Sequence, residues 1–164
     1  MISGRKPIIG VMGGSQCDGE IYELARQVGR LIAERGAVLL CGGRGGVMEG
    51  AAKGAREAGG LTIGIMPGGN VSESPPNPYI DIPIFTGLGD ARNAINVKTA
   101  DVVIAVSGGY GTLSEIALAL KNDTPVVGLK TWGFQREGFL KSPLFVEADS
   151  PEGAVEKAFG FIRR

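Results

Sequence analysis

Histidine is absent from this chain of 164 residues. That absence excludes the Ser-His-Asp and Cys-His nucleophile systems and the usual histidine-bearing zinc and iron sites. Only two cysteines occur, Cys17 and Cys41, too few for a disulfide framework and wrongly spaced for a metal knuckle. Both are read as small packing residues, because no basic partner that would activate a thiol can be assigned to either. No apolar run approaches the length of a membrane span, and the short one near the N-terminus is broken by Gly10 and Gly13. Net charge is missing too. Seventeen basic residues balance seventeen acidic ones, so no overall field draws the protein to nucleic acid or an anionic membrane. The expectation is a cytoplasmic protein without a metal. Its chemistry must come from carboxylates, arginine, lysine, tyrosine, hydroxyls, backbone amides or a bound molecule.

What is present is glycine, 28 residues of it, and a regular alternation of apolar runs with helical patterns. With 43% hydrophobic and 21% charged residues the chain can bury a real core, so residues 1–164 are read as one domain. "PIIGVM", "AVLLC", "LTIGIM", "YIDIPIF", "DVVIAV", "PVVGLK" and "LFVEA" read as strands. Between them lie helical patterns: Ile21 to Arg35, "MEGAAKGAREAG", "DARNAINVKTA" and a segment from about Leu113 to Lys121. A last helix starts at "SPEG", with Ser150 as N-cap and Pro151 at the first helical position. Strands apolar on both faces, alternating with helices, imply an α/β fold: a Rossmann-like, doubly wound parallel sheet in three αβα layers.

Four glycine pairs, Gly13-Gly14, Gly42-Gly43, Gly68-Gly69 and Gly108-Gly109, fall at or just after the ends of predicted strands. In a parallel sheet those ends share one edge, where this architecture places ligands. Glycine lets backbone amides approach an anion closely, and a following helix start adds unpaired donors. Steric need in tight turns would explain one such pair; four on one edge point to phosphate, with Ser15 as a further hydroxyl donor. No lysine follows a glycine as a phosphate-loop NTPase requires, and no turn completes G-x-G-x-x-G. A nucleotide or sugar-phosphate ligand is expected rather than a dinucleotide.

Thr112-Leu113-Ser114-Glu115 matches a capping box, in which the Thr caps a helix and the Glu reaches back to the cap's amide. That accounts for both residues locally. The competing reading sets Glu115 against the ligand's sugar, where a carboxylate stabilises the positive charge of a breaking N-glycosidic bond or activates water. Arg92, in "GDARNAIN", opens a helix on the same edge, an electrostatically unfavourable place for a cation unless it grips phosphate. Lys53 and Lys98 are read as solvated surface residues.

Arg92 and Asn93, Asp101 and "SGGYGTLSE" resemble the Arg-Lys, the Asp and the P-G-G-x-G-T-x-x-E motif of the LOG family. Those enzymes are cytokinin-activating nucleoside 5'-monophosphate phosphoribohydrolases. "GGRGGVM" at 42–48 and "GIMP" at 64–67 are similar to further family segments, and the likeness runs from about Gly13 to Gly128. It implies a Rossmann-like homodimer in which Arg92 and Glu115 are catalytic and Gly108, Gly109, Gly111 and Thr112 hold phosphate. Gly13, Gly14, Ser15, Gly42, Gly43 and Asn93 complete the expected ligand site. Three positions depart from the family: Ser107 replaces its Pro, Asn93 its Lys, and Glu49 its usual Gly. These changes resemble a shorter side branch that includes a molybdenum-cofactor carrier protein, in which the same loops bind a phosphorylated pterin without cleaving it.

"LSEIALALK" is apolar nearly all round, so its helix must be covered on more than one side. Burial of Ile116, Leu118 and Leu120 between protomers would supply that cover, with deeper burial inside one protomer as the competing explanation, and a homo-oligomer built on a dimer is expected. The expected function is hydrolysis of the N-glycosidic bond of a nucleoside 5'-monophosphate to free base and ribose 5-phosphate with no cofactor required. The alternative is carriage of a bound nucleotide or phosphorylated cofactor, such as molybdenum cofactor, without cleavage.

Overall fold

A computed structural model describes residues 4–133 and 142–162. The predicted alternation is realised as β1 (Ile8–Gly13), α1 (Gly19–Glu34), β2 (Val38–Cys41), α2 (Val47–Glu57), β3 (Thr62–Met66) and β4 (Ile82–Phe85). There follow α3 (Arg92–Thr99), β5 (Val102–Val106), α4 (Tyr110–Lys121), β6 (Val126–Leu129), β7 (Phe145–Ala148) and α5 (Pro151–Ile162). The strands form one parallel sheet in the order β4-β3-β2-β1-β5-β6-β7. Pro83, which has no amide to donate, sits in β4 at the sheet's edge, where its loss to the ladder does least harm.

Side chains alternate across the sheet with the period of two that strands impose. Ile9, Val11, Leu39 and Ile104 face a core built with α1, α2 and α5. Met12, Leu40, Val103 and Ala105 face the opposite core, built with α3 and α4. The result is the three-layer αβα arrangement. All eight of these side chains are essentially inaccessible to solvent, and each stabilises the fold by about 1.5–3 kcal/mol where it is large and apolar. On the first face α1 and α2 pack with their backbones nearly touching. A Cβ at Gly29 would lie 1.9 Å from the Ala51 carbonyl oxygen, and one at Gly54 would lie 1.8 Å from that of Arg26. That contact explains the small residues of α2. The predicted cap of α5 is present: Gly153 donates its amide to Ser150 Oγ at 3.1 Å.

Asp101 lies at the start of β5, on the edge away from the strand C-termini. Its Oδ2 accepts the Ile8 amide at 2.8 Å and the carboxylate pairs with Arg5, so it fastens the N-terminal ends of β1 and β5 together. Among the described residues no helix is long and apolar enough to cross a membrane. Ile116 of α4 is fully buried within the protomer, while Leu118 and Leu120 are only half-buried.

The strand order reverses between β1 and β5. Chain segments leaving the C-terminal ends of these neighbours diverge to opposite faces, which opens a crevice at this point in any doubly wound sheet.

Candidate ligand-binding site

A cavity of about 290 Å³ occupies the crevice. Gly13, Gly14 and Ser15 contribute its β1 side, Gly42 its β2 side, and Arg92 and Asn93 the start of α3. Gly109, Gly111, Thr112 and Glu115 of the β5–α4 segment close it. Three of the four glycine pairs therefore converge. Gly43 and Gly108 do not line it. Gly108 has φ +97°, and a Cβ there would meet Thr112 Oγ1 at 2.1 Å, so the loop folds down onto Thr112 only because the position is glycine. The fourth pair is diverted: Gly69 donates its amide to Glu73 Oε2 at 2.7 Å, and Gly68 lines a second cavity of about 530 Å³. Met12, Met48, Arg44 and Asp90 also line the first cavity, and sequence reasoning did not single them out. Arg44 belongs to both cavities.

The capping box is not formed. Helix α4 begins at Tyr110, about three residues earlier than its pattern suggests, with Gly109 as N-cap and no side-chain cap. Thr112 is buried inside the first turn, and the Glu115 carboxylate turns to α3 instead of back to the helix start. The glycines permit the early start, and an uncapped first turn leaves amides free at the cavity, where they favour an anion. The first turn of α3 has no side-chain cap either.

Glu115 is 6% exposed and Arg92 8% exposed, which makes them the buried charged pair among the described residues. Arg92 Nη1 lies 3.8 Å from Glu115 Oε1 and donates to Asn93 Oδ1 at 3.1 Å. Asn96, fully buried one helical turn after Arg92, donates Nδ2 to the same Glu115 oxygen at 3.1 Å. Burial drives the Glu115 pKa up to about 7, against the opposing pull of the Asn96 hydrogen bond and the Arg92 charge. Burial likewise lowers the Arg92 pKa from its ordinary value, although a guanidinium stays charged. Arg92 Nε and Asn96 Oδ1 are buried without a hydrogen-bond partner among the described residues. Such orphaned atoms are rare and cluster where function requires them. Gly42 makes room for the arrangement: a Cβ there would stand 2.4 Å from Arg92 Nη1 and 2.7 Å from Met48 Sδ.

Ser107, at the family's proline position, adopts φ +48°. Its amide donates to the Leu129 carbonyl at 3.1 Å and its carbonyl accepts Thr131 Oγ1 at 2.7 Å. Beyond it Trp132 Nε1 donates to the Gly109 carbonyl at 3.1 Å, and the indole stacks on the exposed Tyr110 ring at 6.0 Å. Cys41 is buried, as expected, with its pKa pushed to about 12 by desolvation. Cys17 is exposed, so it is not a packing residue; the loop before α1 stays outside the core because Asp18 there caps the helix through Ile21. Lys98 is exposed, while the Lys53 ammonium lies 5.9 Å from the centre of the Tyr79 ring. No group of three or more metal-ligating side chains occurs among the described residues.

A model of the SLOG cluster4 family matches residues 6–158. The molybdenum cofactor binding protein from Rippkaea orientalis has a similar structure, with TM-score 0.88 and 49% identity over 98% of this chain and 99% of that one. The molybdenum cofactor carrier protein of Chlamydomonas reinhardtii superposes with TM-score 0.85 at 42% identity, over 98% of this chain and 100% of that one. A cytokinin riboside 5'-monophosphate phosphoribohydrolase of Mycobacterium tuberculosis is 32% identical over 139 residues, 80% of this chain and 74% of that protein.

Proposed function

Given that the chain belongs to the SLOG cluster4 family, we propose that it binds and carries a phosphorylated heterocyclic cofactor of the molybdenum-cofactor kind without cleaving it. The observation that carries the reading is the Ser107 backbone. A φ of +48° is closed to proline, so the loop that delivers the phosphate-binding amides departs from that of the hydrolase motif. Two features support it. Asn93 stands where the hydrolases have a second cation, and the similarity to the carriers is both higher and longer than that to the hydrolases. In this role Gly13 to Ser15 and the first turn of α4 seat the phosphate, and Arg92 supplies charge from beneath. The unit is a single domain of residues 1–164 acting as a homo-oligomer built on a dimer in the cytoplasm.

Hydrolysis is the second reading, favoured by one observation: a buried carboxyl poised near neutrality beside an arginine on the ligand cavity. There Arg92 would hold the substrate and Glu115 would activate water or stabilise the ribosyl cation. One pair of measurements separates the two. Protein loaded with released molybdenum cofactor should retain it through gel filtration. Incubation with AMP, GMP, CMP and UMP should yield no ribose 5-phosphate. Catalytic release of free base, abolished by Glu115→Gln, would instead establish the hydrolase.

A further inference from the structure

Resting on the reading that the first cavity seats a phosphate, we propose that the second cavity is the heterocycle subsite, where Glu49 accepts hydrogen bonds from a 2-amino-4-oxopyrimidine edge such as guanine or a pterin presents. The two cavities meet at Arg44, which lines both. A ligand anchored by its phosphate at the glycine turns has the second cavity within reach past that side chain. Its volume of about 530 Å³ is that of a small-molecule site.

Both spaces carry charge of each sign: Arg44 and Arg92 line the first with Asp90 and Glu115, and Arg44 lines the second with Glu49 and Glu73. Glu73 is already committed, one oxygen to the Gly69 amide at 2.7 Å and the other to Asn70 Nδ2 at 2.9 Å. Glu49 is not. Its Oε1 accepts the Tyr22 hydroxyl at 3.2 Å, and its other oxygen has no partner among the described residues. An ionised carboxylate only accepts, so it selects for N–H groups. The 2-amino-4-oxo edge offers two adjacent N–H donors at carboxylate spacing. Adenine turns a ring acceptor towards the same place, and hypoxanthine lacks the amino group.

The rest of the cavity suits that assignment. Ser74, 7% exposed, has a hydroxyl with no hydrogen bond among the described residues, and it lines the same space. Asn77 takes the Gly43 carbonyl through its amide at 2.9 Å and the Arg44 carbonyl through Nδ2 at 2.8 Å. The Asn77 side of the cavity is therefore tied to the turn that carries Arg44, and the subsite exists before ligand arrives. Arg44 itself has no ion pair among the described residues, which leaves its planar guanidinium free for phosphate or for the face of a ring.

Calorimetric titration with ribose 5-phosphate, GMP and IMP tests the assignment. Wild-type protein should bind all three, with GMP about tenfold tighter than IMP, the effect of adding a charge-assisted hydrogen bond. In Glu49→Gln the GMP affinity should fall to that of IMP, while ribose 5-phosphate binding stays as it was. Glutamine still accepts the Tyr22 hydroxyl, so the fold should persist. Equal GMP and IMP affinity in the wild type, a comparison that needs no variant, overturns the heterocycle subsite and leaves the phosphate seat standing. So does a GMP preference that survives in Glu49→Gln. Failure of ribose 5-phosphate to bind overturns the phosphate seat and this inference with it.

Discussion

Asn96 Nδ2 reaches Glu115 Oε1 at 3.1 Å across the α3–α4 contact, and that bond decides where the only acidic side chain of the α4 N-terminal half points. Both residues are buried and come from neighbouring helices, nineteen positions apart. The carboxyl is thereby held on the first cavity next to Arg92 rather than on its own helix start.

The first prediction concerns pH. Glu115 has its pKa raised by burial from 4.5 to about 7, so between those values the native state holds a proton that the unfolded chain has released. The stabilisation is complete below about 4.5 and is lost as pH rises through about 7. The full effect is on the order of 3 kcal/mol. Thermal melts from pH 4.5 to 8.5 should show wild type losing stability relative to Glu115→Gln as pH increases. Parallel curves for the two proteins would show that no such proton is held.

The backbone at Ser107 supplies the second. Ser107→Pro imposes φ near −65° where the chain has +48° and removes the donor to Leu129, so it should cost about 3 kcal/mol or more. Chemical denaturation measures it. A variant as stable as wild type, with gained hydrolase activity, would mean that the loop adopts the hydrolase conformation freely.

Gly42→Ala tests the cavity without touching charge. The added methyl meets the far ends of two flexible side chains, Arg92 and Met48, which can yield. Stability should therefore drop by only about 1–2 kcal/mol, whereas affinity for ribose 5-phosphate should fall about tenfold as the guanidinium is displaced. Unchanged affinity would place Arg92 outside the binding machinery.

Trp132 is the chain's single tryptophan, and its indole N–H is bonded to the carbonyl of Gly109, which lines the first cavity. Intrinsic fluorescence should shift on addition of ribose 5-phosphate. Trp132→Phe should weaken binding about two- to tenfold, the worth of one hydrogen bond that orders the loop. A spectrum indifferent to saturating ligand would show that this loop does not respond to occupancy.

Local pattern carried much of this protein. The apolar runs became strands, the intervening patterns became helices, and the cap at Ser150 formed as read, because periodicity of two or 3.6 and capping chemistry act within a few residues. Three of the glycine pairs marked the edge that holds the first cavity for the same reason: whether amides are left bare at a strand end is a local matter. Long-range packing decided the rest. "TLSE" carries a legible capping box, yet the tertiary fold overrode it, since α3 lies alongside α4 and offers Glu115 a buried amide partner that no local spacing announces. Asn96, Arg44 and the second cavity went unseen for the same cause; their only trace in the chain was a polar residue one turn after Arg92 and an arginine between glycines. Sequence determines which residues can form a strand, a turn or a helix start. Desolvation and partner choice depend on what the sheet brings together, and only the folded chain settles them.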